Sequence, residues 1–143
     1  MPAYVLDTSA IMCVLFQEEG SQQVVEILDA AREGDGGHVT RVLVPFIGLM
    51  EVEYWLLRRL TSREMETTIF LVESWPVDIV QSNDEWRHEA ARVKAAASLS
   101  LADAWIAALA LLNQGELVHK DPEFEQLAPR LNMLRLPYRR GQT

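Results

Sequence analysis

One cysteine, Cys13, occurs in the whole chain, so an intrachain disulfide is excluded and a disulfide-stapled fold with it. It sits in an apolar segment and reads as a small core residue. Apolar runs are short. The longest unbroken one, Ala104–Leu112, falls well below the ~20 residues of a membrane-spanning helix. Met1-Pro2 leads straight into a strand-like segment, with no basic n-region or cleavage site. The three histidines, His38, His88 and His119, lack zinc-ligand spacing. Repeats, low-complexity tracts and linkers are absent. Bases are outnumbered, 13 Lys and Arg against 21 Asp and Glu, for a net charge of −8. A field of that sign repels phosphate and argues against nucleic-acid binding by the surface as a whole.

What remains is a chain of 143 residues with 49% hydrophobic side chains, enough for a real core and suited to one domain over residues 1–143. The expectation is a soluble cytoplasmic protein, with no membrane partner. The charge is uneven. From residue 130 onward stand Arg130, Arg135, Arg139 and Arg140 with no acid, and Arg58, Arg59 and Arg63 form a second basic group. Ordinary solubility charge accounts for this pattern, and a metal site beside an anion-binding surface is the alternative.

Along the chain, "YVL" reads as a buried strand and "TSAIMCVLF" as a short helix. "GSQQVVEILDAAREGD" carries Val24, Val25, Ile27 and Leu28 at helical spacing, then a Gly-rich loop over 34–37. "VTRVLVP" is a strand, and Pro45 suits the first position of the apolar helix "FIGLMEVEYWLLRRL". A helix over Ser62–Ser74 and a short strand "VDIV" follow. Two helices, "SNDEWRHEAARVKAAA" and "SLSLADAWIAALALLN", break near Ser98. "ELVH" and "NMLRLP" are short strands. Strands alternating with helices predict an α/β fold of three layers, a mainly parallel central sheet flanked by helices.

Four carboxylates stand in apolar company. Asp7 ends the first strand and Asp121 follows "ELVH", and in parallel sheets ligands bind beyond such strand ends. Glu51 and Asp103 interrupt apolar helices, where an ionised carboxylate is costly unless paired or bound to metal. Each acid has a plain structural role available. Asp7, Thr8 or Ser9 can cap a helix, Ser100-x-x-Asp103 matches a capping box, and Asp121 before Pro122 is a good N-cap. Glu51 can pair with Arg58 or Arg59, and Glu53 is its near neighbour. Capping does not explain why four acids on four elements should meet at one end of one sheet. Such a cluster needs cations, and hard oxygen ligands select Mg²⁺ or Mn²⁺.

"VLDTSA", "LMEVEYWLLRR", "LSLADAWIAALA" and "VHKDPEF" resemble, in order, the four acidic motifs of PIN-domain ribonucleases, above all the small toxins of VapC type. The resemblance runs from Val5 to "NMLRLP". It implies a PIN-like fold and a Mg²⁺- or Mn²⁺-dependent endoribonuclease. Asp7, Glu51, Asp103 and Asp121 would be the metal-binding, catalytic acids, with Thr8 or Ser9 supporting them. It also implies a homodimer, an RNA substrate and a small antitoxin partner. Metal-activated water would be the reagent, since no nucleophilic triad is visible. Where the family commonly has Thr or Ser two residues before the last acid, this chain has His119. His119 and Lys120 are read as solvated-loop residues, with phosphate contact as the alternative. Arg58, Arg59 and the basic tail are the other candidate RNA contacts. Glu123 and Glu125 are read as starting a surface helix, with an outer-shell role as the alternative.

Three rival readings stand beside this one. A non-toxin PIN nuclease for RNA processing shares the same motifs. Phosphotransfer through Asp7, as in haloacid-dehalogenase-like phosphatases or receiver domains, fits an Asp after a buried strand. Yet Ser9 stands where the former has a second Asp, and the chain has no room for a receiver's acidic pair. In a non-catalytic interaction module, Trp55, Trp75, Trp86 and Trp105 would mark a partner surface. Core packing is the other account of the four, expected first for Trp55 and Trp105.

Overall fold

Strand β1 (Ala3–Leu6) is four residues long, and both of its neighbours run parallel to it. The computed structural model describes residues 3–34 and 39–139. His38, Arg140 and most of the Gly-rich stretch lie outside the described residues. After β1 come α1 (Thr8–Leu15), α2 (Ser21–Glu33), β2 (Arg41–Pro45), α3 (Phe46–Leu57), α4 (Ser62–Glu73), β3 (Asp78–Val80), α5 (Asp84–Ala96), α6 (Leu101–Leu112) and β4 (Glu116–His119). A 3₁₀ helix (Pro122–Leu127) and β5 (Met133–Arg135) complete the order. Every predicted element is present. Pro45 ends β2 and stands at the N-cap of α3, one position earlier than expected.

The sheet has five strands in the order β3-β2-β1-β4-β5, with every pairing parallel. Alternation along the strands divides the core in two. Val5, Leu43 and Leu117 face the layer of α5 and α6, while Leu6, Val42, Val44 and Val118 face the layer of α1 to α4. The chain winds outward from β1 in one direction through β2 and β3, then in the other through β4 and β5. The reversal leaves a crevice beyond the carboxyl ends of β1 and β4, the switch point where open parallel sheets bind ligands.

Local chemistry explains the element ends. Asn83 caps α5 through the Trp86 amide, and Thr61 with Glu64 forms a full capping box on α4. Gly20, at φ +99°, opens α2, and a Cβ there would lie 2.8 Å from Pro137 Cδ. A side chain is therefore excluded twice, by the left-handed backbone and by the C-terminal segment crossing it.

The tryptophans sort differently from the expectation. Trp86 is 1% exposed, donates its indole N–H to the Trp105 carbonyl at 2.7 Å, and meets Phe46 and Trp105 edge to face. Trp105 is half-buried in the same cluster, as expected. Trp55 is 38% exposed and is not a core residue. Helix α3 is apolar around its whole circumference, so periodicity gave no way to choose its inner face. Truncating Trp86 to Ala should cost roughly 3–5 kcal/mol, through a large cavity and the loss of the indole's bond to Trp105. Urea denaturation measures this, and an unchanged midpoint would contradict the packing described. Among the described residues no single helix is long and apolar enough to cross a membrane.

Candidate active site at the sheet switch point

Asp7 is the first residue beyond β1 and is buried. Its extended backbone donates N–H to the Val118 carbonyl at 3.0 Å, so the sheet ladder continues through it. Its side chain caps α1: Oδ2 accepts the Ser9 backbone N–H at 3.0 Å and the Ser9 hydroxyl. Ser9 Oγ in turn accepts the Lys120 backbone N–H at 2.9 Å, which ties the ends of β1 and β4 together. The expected cap is real, yet it uses only one oxygen. Oδ1 is buried with no hydrogen-bond partner among the described residues. A buried, unsatisfied carboxylate oxygen is the atom a cation would satisfy.

The other acids gather around Asp7 by charge. Burial, then the Asp103 charge, raises the Asp7 pKa to about 7, with Glu51 adding to the rise. Burial, then Asp121, raises Asp103 to about 6, with Glu51 and Glu123 contributing. Glu51 Oε1 accepts the Thr8 hydroxyl at 2.7 Å, so Glu51, not Glu53, turns toward the crevice. That contact replaces the pairing considered with Arg58 or Arg59. Ser100 caps α6 through the Asp103 amide at 3.1 Å, and Asp121 Oδ1 accepts the Glu123 amide at 3.0 Å. Asp7 and Asp121 thus cap helices with their side chains, while Asp103 is capped by Ser100 through its backbone and Glu51 is held by Thr8. Among the described residues no three metal-ligating groups already stand within reach of one ion.

His119 and Lys120 are not solvated-loop residues. His119 is 0% exposed at the end of β4, with its ring against Phe124 and Tyr138. Its Nδ1 accepts the Asp121 backbone N–H at 3.0 Å, and burial lowers its pKa to about 4. The imidazole is therefore neutral and holds the Asp121 backbone. Lys120 is 5% exposed, with Nζ at 3.0 Å from the Glu19 carbonyl and 3.4 Å from Glu18 Oε1. Its side chain lies in the crevice wall, and its charge is engaged by Glu18, which also holds Arg139. The basic tail behaves likewise: Arg130 pairs with Glu89 and Arg135 with Glu125. Glu123 and Glu125 belong to the 3₁₀ helix, and Glu125 is taken up by Arg135 and Tyr138.

A cavity of about 260 Å³ opens beside the acids, lined by Thr8, Ser9, Trp55, Arg59, Lys120 and Asp121 among others. Arg59 lines it and is exposed, as is its neighbour Arg58 just past α3. Arg58 lies over Tyr54 and Trp55, and Arg59 over Phe16 and Trp55. Glu18 and Trp55 carried no signal for this cleft in sequence, because they come from separate segments that meet only in the fold.

Comparison with known proteins agrees with this geometry. The PIN domain family model matches residues 4–129. No curated protein matches the chain in sequence. Among solved structures, VapBC2 from Rickettsia felis bound to a promoter DNA fragment is 14% identical, with a TM-score of 0.75, over 94% of this chain and 99% of that one. DNA-bound VapBC from Salmonella typhimurium is 17% identical, TM-score 0.74, over 94% and 98%. Mycobacterium tuberculosis VapC20, a sarcin-ricin loop cleaving toxin, is 16% identical, TM-score 0.65, over 87% and 95%. At these identities the structures share the fold alone. The family match spans most of the chain and carries more: this protein belongs to the PIN-domain family.

Proposed function

We propose that this chain, folded as one domain, is a divalent-metal-dependent endoribonuclease and the toxin of a toxin–antitoxin pair. PIN domains are a nuclease family, and the family generally uses divalent metals. The observation that carries the reading is Asp7: a buried carboxylate at the switch point, one oxygen unpartnered, with Glu51 and Asp103 raising its pKa. Asp7, Glu51, Asp103 and Asp121 would hold the ion, Mg²⁺ or Mn²⁺, as hard oxygen donors. Bound there, such an ion lowers the pKa of a water and offsets charge developing on a phosphodiester.

The chain's own residues set this site in place. Ser9 fixes one oxygen of Asp7 and leaves the other for the ion. Thr8 orients Glu51. His119 takes the place of the family's common Ser or Thr and anchors Asp121 by its backbone. Arg58 and Arg59 stand at the rim, where a phosphate backbone would pass. Ion binding would displace protons that Asp7 and Asp103 hold near neutral pH.

The toxin role draws on the VapBC complexes among the fold neighbours, which support an antitoxin partner; the homodimer and the cytoplasmic setting rest on the motif resemblance alone. A non-toxin PIN nuclease would have the same site without that partner. Family membership leaves the phosphotransfer reading without support. The test is cleavage of a mixed structured-RNA pool with Mg²⁺, Mn²⁺ or chelator, beside Asp7→Asn protein prepared identically. Discrete metal-dependent products missing from the variant are expected. No products from folded, antitoxin-free protein would overturn the reading.

A further inference from the structure

We propose that the cavity next to the acids is a nucleotide subsite, in which Trp55 stacks on one unpaired base flanking the cleaved bond and Arg59 faces its phosphate. This rests on the nuclease reading. The site adjoins the acids, because Asp121 lines it and so do Thr8 and Ser9, which hydrogen-bond Glu51 and Asp7. At about 260 Å³ it lies near the lower end of small-ligand pockets, roughly 300 Å³, and suits one nucleotide rather than a duplex.

Its far wall is aromatic and cationic. A large indole left 38% exposed inside a cleft gives up burial that the core would reward. Single-stranded nucleic acid is held by such aromatic faces, with cations tracking the backbone. The cations divide by partner. Lys120 and Arg139, which also line the cavity, are engaged by Glu18. Arg59 lies 5.6 Å over the Trp55 ring and 5.3 Å over Phe16, and among the described residues no carboxylate pairs with it. Arg58 also lies over Trp55, at 5.8 Å, so a base would take the place of an exposed arginine on that ring; an indole beside a guanidinium that no carboxylate neutralises matches a base linked to a phosphate.

The test is binding of fluorescein-labelled single-stranded RNA by polarisation, in an Asp7→Asn background with chelator. An oligonucleotide cleaved by the parent is scanned with one abasic position at a time. Trp55→Ala should weaken binding about five- to a hundredfold, and Trp55→Phe should retain most of the affinity. One abasic position should weaken the Trp55 protein and leave Trp55→Ala unaffected. Arg59→Gln should flatten the salt dependence of binding. If Trp55→Ala, shown folded by its melt, binds as tightly and feels the same abasic penalties, the subsite is overturned while cleavage by the parent stands. If the parent cuts no RNA, the nuclease reading fails first. If Trp55→Ala loses affinity for an antitoxin peptide but not for RNA, the cavity is a protein-docking site and the proposal is wrong.

Discussion

Asp103→Asn should abolish metal-dependent RNA cleavage, by about a thousandfold or more, and leave the protein folded. The residue lies in the first turn of α6, whose following face, Ala104 and Ile106–Ala110, is buried. The amide isostere keeps that packing. The capping bond also survives, because it runs from the Asp103 backbone N–H to Ser100 Oγ. What changes is charge. Asp103 is the carboxylate whose field acts most strongly on Asp7, and it is itself acted on by Asp121 and Glu51. It therefore links the acids of β1, α3 and β4. Neutralising it removes repulsion from the cation-free site and attraction for the cation. Activity should collapse while thermal stability in chelator holds or rises. Cleavage at the parent rate by Asp103→Asn would show that these acids are helix caps and little else.

The second large effect is a stability difference that grows with pH. The Asp7 carboxyl is raised from 3.8 to about 7, chiefly by burial and next by Asp103. A carboxyl with a raised pKa in the fold binds its proton more tightly there than in the unfolded chain. Below about pH 4 both states are protonated and the fold bears no penalty. As pH rises, the unfolded chain ionises first, and stability falls until the folded group ionises near pH 7. Asp103, raised to about 6, acts in the same direction over a narrower window. His119, lowered to about 4, opposes both between pH 4 and 6.5, so the parent curve alone is ambiguous. Comparison with Asp7→Asn isolates one group. In chelator the variant should match the parent near pH 4 and exceed it by roughly 2–4 kcal/mol above pH 7. Mg²⁺ or Mn²⁺ at pH 8 should stabilise the parent and not the variant. Urea melts from pH 4 to 8.5 supply the numbers. A gap constant across pH would mean that Asp7 is not buried against its neighbours.

The candidate site was legible to different depths. Asp7 could be read because a strand of three apolar residues runs directly into it. Asp103 could be read because it interrupts a helix apolar on nearly every face. Both signals are one-dimensional. Glu51 against Glu53 was a different problem, since both lie on α3 two positions apart. The Thr8 hydroxyl decides between them, and it comes from 43 residues away. His119 and Lys120 were misread because a polar pair after a short strand looks like a loop. In the fold they are packed under Phe124 and Tyr138 and against the Glu18–Glu19 turn. The pairing of the basic tail was out of reach for a related reason. Among the described residues Arg130, Arg135 and Arg139 find Glu89, Glu125 and Glu18, partners distant in sequence that charge counting cannot supply.

Local chemistry, then, decided the order of strands and helices, their caps and the positions of the acids. These depend on periodicity, turn residues and backbone hydrogen bonds within a few positions. Tertiary packing decided which apolar face is inside, which cations are engaged, and that Asp7, Glu51, Asp103 and Asp121 come close enough to feel one another's charge. Those outcomes depend on the reversal of strand order beside β1, which brings residues 9 and 120 together across more than a hundred positions.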